Sequence, residues 1–89
     1  MPVISMFYGL IIRRFFFDAD RHHVPHIHVE FGELNAVFCI EDGEILVGEL
    51  PRQKVRLVQA WIELHREELL ADWKLAMEGS EVFRIEPLR

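Results

Sequence analysis

The residues best placed to do chemistry in this chain are His26, His28 and Glu30, in the stretch Pro25-His26-Ile27-His28-Val29-Glu30-Phe31. On an extended strand they share one face, and Ile27, Val29 and Phe31 share the other. Three groups able to bind a metal or move a proton therefore line one side of a short strand. His22 and His23 stand just before it. Two imidazoles at i and i+2 are close enough to share a metal, and Glu30 or Cys39 could supply a third ligand. Such a set suits zinc or another divalent metal with an open position. Without a metal, His26 and His28 form a general acid/base pair, one neutral and one charged near pH 7. The alternative is a polar sheet face whose histidines bond to backbone or to a partner.

A second group is basic. Arg52, Lys54 and Arg56 crowd the start of a helical stretch in which Glu63, Glu67, Glu68, Asp72 and Glu78 come later. The helix dipole favours the reverse order by about 0.3–1 kcal/mol per charge, so the cluster does not serve the helix. With Arg21 it could hold a phosphate, a nucleic-acid backbone or an acidic partner. The alternative is surface charge paired with Glu44 or Glu49. His65 falls between Trp61 and Leu69 on the apolar stripe of the same helix, where a lone histidine serves as a core or interface residue. Trp61 and Trp73 read as core anchors.

Two patterns position these groups. Up to Pro51 the apolar period is about two, and after it the period is helical. The first half predicts an antiparallel meander: Val3 to Phe7, a break at Tyr8-Gly9, Leu10 to Phe17, a loop from Asp18 to Val24, Pro25 to Phe31, Leu34 to Glu41, and Glu44 to Leu50. Gly32-Glu33 suits a type II′ hairpin, and Asp42-Gly43 is the strongest two-residue hairpin signal. These turns pair Phe31 with Leu34, Val29 with Ala36, Ile27 with Phe38, Ile40 with Ile45 and Phe38 with Val47, all on one core face. The other face then holds His26, His28, Glu30, Asn35, Val37, Cys39 and Leu46, with His26 opposite Cys39. The run Phe15-Phe16-Phe17 places aromatics on both faces, which suggests that the tail or another subunit partly covers the second one.

The second half predicts one helix from Pro51 to Glu78, opened by proline and closed by Gly79. Its stripe of Val58, Trp61, Ile62, His65, Leu69, Trp73 and Ala76 should pack on the core face. His65 would then lie behind the sheet from His26 and His28. Residues Val82 to Leu88 form a short strand or a docking arm.

With 89 residues, 51% of them hydrophobic, the chain is one α+β domain, residues 1–89, with apolar surface to spare for a partner. A net charge of -5 argues against nonspecific nucleic-acid binding, and a local basic patch stays open. The single cysteine, Cys39, excludes an internal disulfide and suits a reducing cytoplasm. The apolar run from Val3 to Ile12 is too short to span a membrane and reads as strand material.

Six stretches together resemble a family of small bacterial proteins known as a domain of unknown function. They are Phe17-Asp18, Pro25-His26-Ile27-His28, Asp42-Gly43-Glu44-Ile45-Leu46, Gly48-Glu49-Leu50-Pro51, the run from Trp61 to Leu69, and Ile85-Glu86-Pro87-Leu88. The similarity covers nearly the whole chain. It implies a compact bacterial domain whose gene sits beside another small gene, in a toxin–antitoxin or regulatory pair. It also implies that His26, His28 and His65 belong to a signature, and it assigns them no role. The expectation is a non-enzymatic interaction or regulatory module that binds a protein, either its own copy or a neighbouring gene's product, and needs no cofactor. The competing expectation is a histidine-dependent small nuclease or phosphoesterase, with metal assistance as a variant.

Overall fold

The computed structural model describes residues 3–13 and 24–89. The extension of the second strand to Phe17, the aromatic run Phe15-Phe16-Phe17, and Arg21, His22 and His23 lie outside the described residues. Five strands, β1 (Val3–Phe7), β2 (Leu10–Arg13), β3 (His26–Phe31), β4 (Leu34–Cys39) and β5 (Ile45–Gly48), precede one helix, α1 (Arg52–Met77). The strands pair antiparallel in chain order, β1-β2-β3-β4-β5, so the fold is the expected α+β meander with a long helix.

Each turn has a local cause. Tyr8 and Gly9 both take positive φ, +49° and +80°, the left-handed pair that a type I′ hairpin demands. Gly32 is at φ +59° and Glu33 is not in that region, which matches the type II′ expectation. The β3–β4 register is as predicted, with Ile27 against Phe38, Val29 against Ala36 and His26 against Cys39.

The β4–β5 connection departs from prediction. Asp42-Gly43 does not make a two-residue loop. Cys39 N–H donates to Glu44 O, and Gly43 N–H donates to Cys39 O, each at 2.8 Å, so the hairpin closes outside a longer loop. Ile40 is buried, and its N–H donates to Pro25 O at 3.0 Å, which continues the β3–β4 ladder. A side-chain bond explains the difference. Asp42 Oδ1 accepts the Glu44 N–H at 2.9 Å, an Asx turn that needs the extra residues. Phe38 therefore pairs with Ile45, not Val47, and a bulge follows, with Val37 opposite Val47. Val47 moves from the predicted core face to the outer face and is 49% exposed.

Helix α1 starts at the Pro51 N-cap and ends in a Schellman pattern at Gly79 (φ +78°): Ser80 N–H donates to Leu75 O and Gly79 N–H to Ala76 O. Val58, Trp61, Ile62 and Leu69 bury against Ile4, Leu10, Ile12, Ile27, Val29 and Phe38. Each fully buried large side chain of this kind contributes roughly 1.5–3 kcal/mol. The backbone leaves helical geometry once, at His65 (φ -119°, ψ 21°), beside the residue whose guanidinium (Arg66 Nε) donates to Ile40 O at 3.0 Å.

The C-terminal segment is a docking arm, not a strand. Ile85 N–H donates to Ile4 O at 2.9 Å, and the Trp61 indole donates to Glu86 O at 2.8 Å. Ile85 is buried, whereas Phe83, two residues earlier, is largely exposed.

Candidate functional site

Strand β3 does place His26, His28 and Glu30 on one face, but in three different environments. His26 is 0% exposed. Its Nδ1 lies 2.8 Å from Val24 O. A carbonyl can only accept, so Nδ1 carries the proton and Nε2 is left as the basic atom. The His26 ring packs 5.3 Å from that of His28 and 4.9 Å from Trp73 of α1. The expectation that the helix side and the histidine face are separate is thus corrected at His26, where Trp73 reaches the start of the strand. Cys39, opposite His26, and Val37, opposite His28, are buried too.

His28 is half-buried and lies between Arg13 on β2 and Val37 on β4. Glu30 is held by an ion pair, with Arg13 Nε donating to Glu30 Oε2 at 2.7 Å. Both partners are partly exposed, which limits the value of the pair to about 1 kcal/mol. Arg13 carries no part in the sequence reading. Only the β2–β3 register brings it beside Glu30.

Beside His28 the outer sheet face opens into a cleft of about 330 Å³, lined by His28, Glu30, Asn35, Val37, Val47 and Gly48 among others. Its walls are mainly apolar. The floor exists because Gly48, at φ +87°, lets β5 lie tight on β4: a Cβ there would strike the Asn35 carbonyl.

The fixed tautomer of His26 is one that a metal ligand also uses. Among the described residues, however, no three of His, Cys, Asp and Glu converge on one point. Glu30 faces Arg13, and Cys39 is a buried free thiol.

The basic cluster divides. Lys54 Nζ donates to Tyr8 O at 2.8 Å and sits 4.9 Å over the Phe31 ring, tying the start of α1 to the β1–β2 turn. Arg52 and Arg56 are exposed, and no ion pair to Glu44 or Glu49 holds them among the described residues. Arg21 lies outside the described residues. His65 stacks 5.6 Å from Trp61 and bonds Glu68 Oε1 through Nδ1 at 2.8 Å. No hydrogen bond or ring contact among the described residues joins it to His26 or His28.

One charged residue was missed. Asp72 is 3% exposed. Its Oδ1 accepts the Phe83 N–H at 3.0 Å, and its Oδ2 is buried with no hydrogen-bond partner among the described residues. Burial pushes its pKa up, the Phe83 N–H opposes that, and Glu68 adds to the rise. The signal was present: Asp72 lies three residues after Leu69, on the apolar stripe.

A family model described as a domain of unknown function (DUF4160) matches residues 9–74, most of the chain, and the chain belongs to that family. No curated protein and no solved structure matches it. Among the described residues no helix is long and apolar enough to cross a membrane.

Proposed function

We propose that this member of the DUF4160 family is a non-enzymatic interaction module, and that its binding surface is the outer sheet face around His28, Val37 and Val47. One observation carries the reading: His26 is sealed. A general acid or base must reach the proton it moves, directly or through one water. His26 has no exposed surface, and its Nδ1 is committed to Val24 O. Lys54, one of the groups that would hold a phosphate, is bound at the β1–β2 turn. What the face does offer is an apolar cleft with a few polar groups at its rim, the anatomy of a recognition surface. In this reading His26 is a structural residue that locks the start of β3 to Trp73, and His28 is the part of the motif that meets the partner.

Site-directed photo-crosslinking in the native host tests this. A p-benzoyl-phenylalanine at Val47 is expected to give one discrete protein adduct. The same group at Leu64, exposed on the far side of α1, is expected to give none. Identical adducts from both sites overturn the reading, as does no adduct from Val47. So does cleavage of RNA or of a phosphodiester by the purified chain that His28→Ala abolishes.

A further inference from the structure

We propose that the open edge of β5 receives a short, basic, extended segment of another protein, which adds a strand to the sheet and sets one apolar side chain into the cleft beside Val47. The proposal rests on the interaction reading and gives its partner a chemistry.

The two edges of the sheet are treated differently. The β1 edge is covered: the C-terminal arm lies along it, with Ile85 buried and its N–H on Ile4 O. Among the described residues nothing pairs with the outer side of β5, and Leu46 and Val47 there are 40% and 49% exposed. An edge left unpaired is a template for another strand. Docking of this kind draws affinity from main-chain hydrogen bonds and specificity from pockets for alternate side chains. The cleft lined by Val37, Val47 and Gly48 lies next to this edge and is the pocket.

Charge selects the occupant. Glu44 and Glu49 bracket β5, and Glu41 and Asp42 sit in the turn that leads to it. All four are exposed, and none is in an ion pair among the described residues. A second copy of this chain does not fit. Antiparallel self-pairing centred between Leu46 and Val47 sets Glu44 of each copy against Glu49 of the other, and like charges directly opposite are destabilising. A nucleic-acid backbone meets the same repulsion. An extended segment with Lys or Arg two residues to either side of an apolar residue carries all three on one face, and finds carboxylates at both ends of β5 and an apolar cleft between them. The bulge at Leu46 interrupts the ladder, so the segment is short.

The test uses the full chain labelled with 15N and two blocked pentapeptides, Lys-Ser-Val-Ser-Lys and Glu-Ser-Val-Ser-Glu, whose charges share the face of the central valine. The lysine peptide is expected to shift the amides of Ile45, Leu46, Val47 and Gly48, and the glutamate peptide to shift none. Affinity for the lysine peptide should fall by about tenfold or more in 0.5 M salt, and similarly in the double variant Glu44→Lys/Glu49→Lys. That variant changes only exposed carboxylates, and should take the glutamate peptide instead. Three results overturn the proposal: shifts centred elsewhere or absent, binding that ignores the charge reversal, or peptide-free, concentration-dependent shifts at the same amides, which mark a second copy. If a Val47 crosslink forms while the peptide fails, only the basic-strand assignment falls. If the crosslink also fails, the interaction reading falls with it.

Discussion

At the scale of single residues, the chain buries polar groups on both kinds of face, among them Asp72 on the apolar stripe of α1 and His26 on the polar face of β3. Asp72 is the clearest case. Its pKa is raised by burial, so the folded chain holds the proton more tightly than the unfolded chain does. Stability from this group is therefore greatest at low pH. It is lost as pH rises from the ordinary value of 3.8 through the raised one, and ionised Asp72 is a cost at neutral pH. Asp72→Asn keeps an acceptor for Phe83 N–H and removes the charge. It is expected to raise Tm at pH 7 by more than at pH 4, and an equal change at both pH values would contradict this. Asp72→Ala removes the acceptor, so amide exchange at Phe83 and Ile85 should be faster than in the Asn variant.

His26 makes a similar point. Its ring fills space beside Trp73 and ties down Val24, so His26→Ala should cost about 2–4 kcal/mol in denaturant unfolding, with His28→Ala costing clearly less. Alternation put both histidines on one face correctly. It could not say that one end of that face is covered, because coverage depends on where a helix residue almost fifty positions away ends up.

At the scale of elements, what was legible followed from turn chemistry. Gly32-Glu33 gave the right hairpin and with it the whole β3–β4 register, while the break read at Tyr8-Gly9 is in fact a hairpin turn. Asp42-Gly43 misled, because the Asp42 side chain takes the Glu44 N–H in an Asx turn that a two-residue loop does not accommodate. That slip hid the outer position of Val47, and with it the cleft. Gly48 carries the consequence. Its positive φ and the Asn35 carbonyl against it leave no room for a side chain, so Gly48→Ala should destabilise by about 2–4 kcal/mol and weaken any ligand of the cleft. The helix start is separable in the same way. Lys54→Ala loses a hydrogen bond and a ring contact and should cost about 1 kcal/mol. Arg52→Ala and Arg56→Ala should stay within about 0.5 kcal/mol of the parent by chemical denaturation.

At the scale of the whole molecule, one side of the sheet is filled by α1, one edge is closed by the C-terminal arm, and the other edge stays open beside an apolar cleft. The sequence pointed to surplus apolar surface, yet could not place it. Placement needed the β4–β5 bulge and the docked arm, both set by contacts between distant residues. The family match fixes membership and leaves the chemistry to be read from this asymmetry. The most direct measurement is hydrogen exchange of the chain alone and in complex with the protein captured from Val47. Binding is predicted to slow exchange at Ile45, Leu46, Val47 and Gly48 and to leave Arg52, Arg56 and the arm around Ile85 unchanged. Protection centred on the helix start or the arm, with β5 unaffected, would contradict the account.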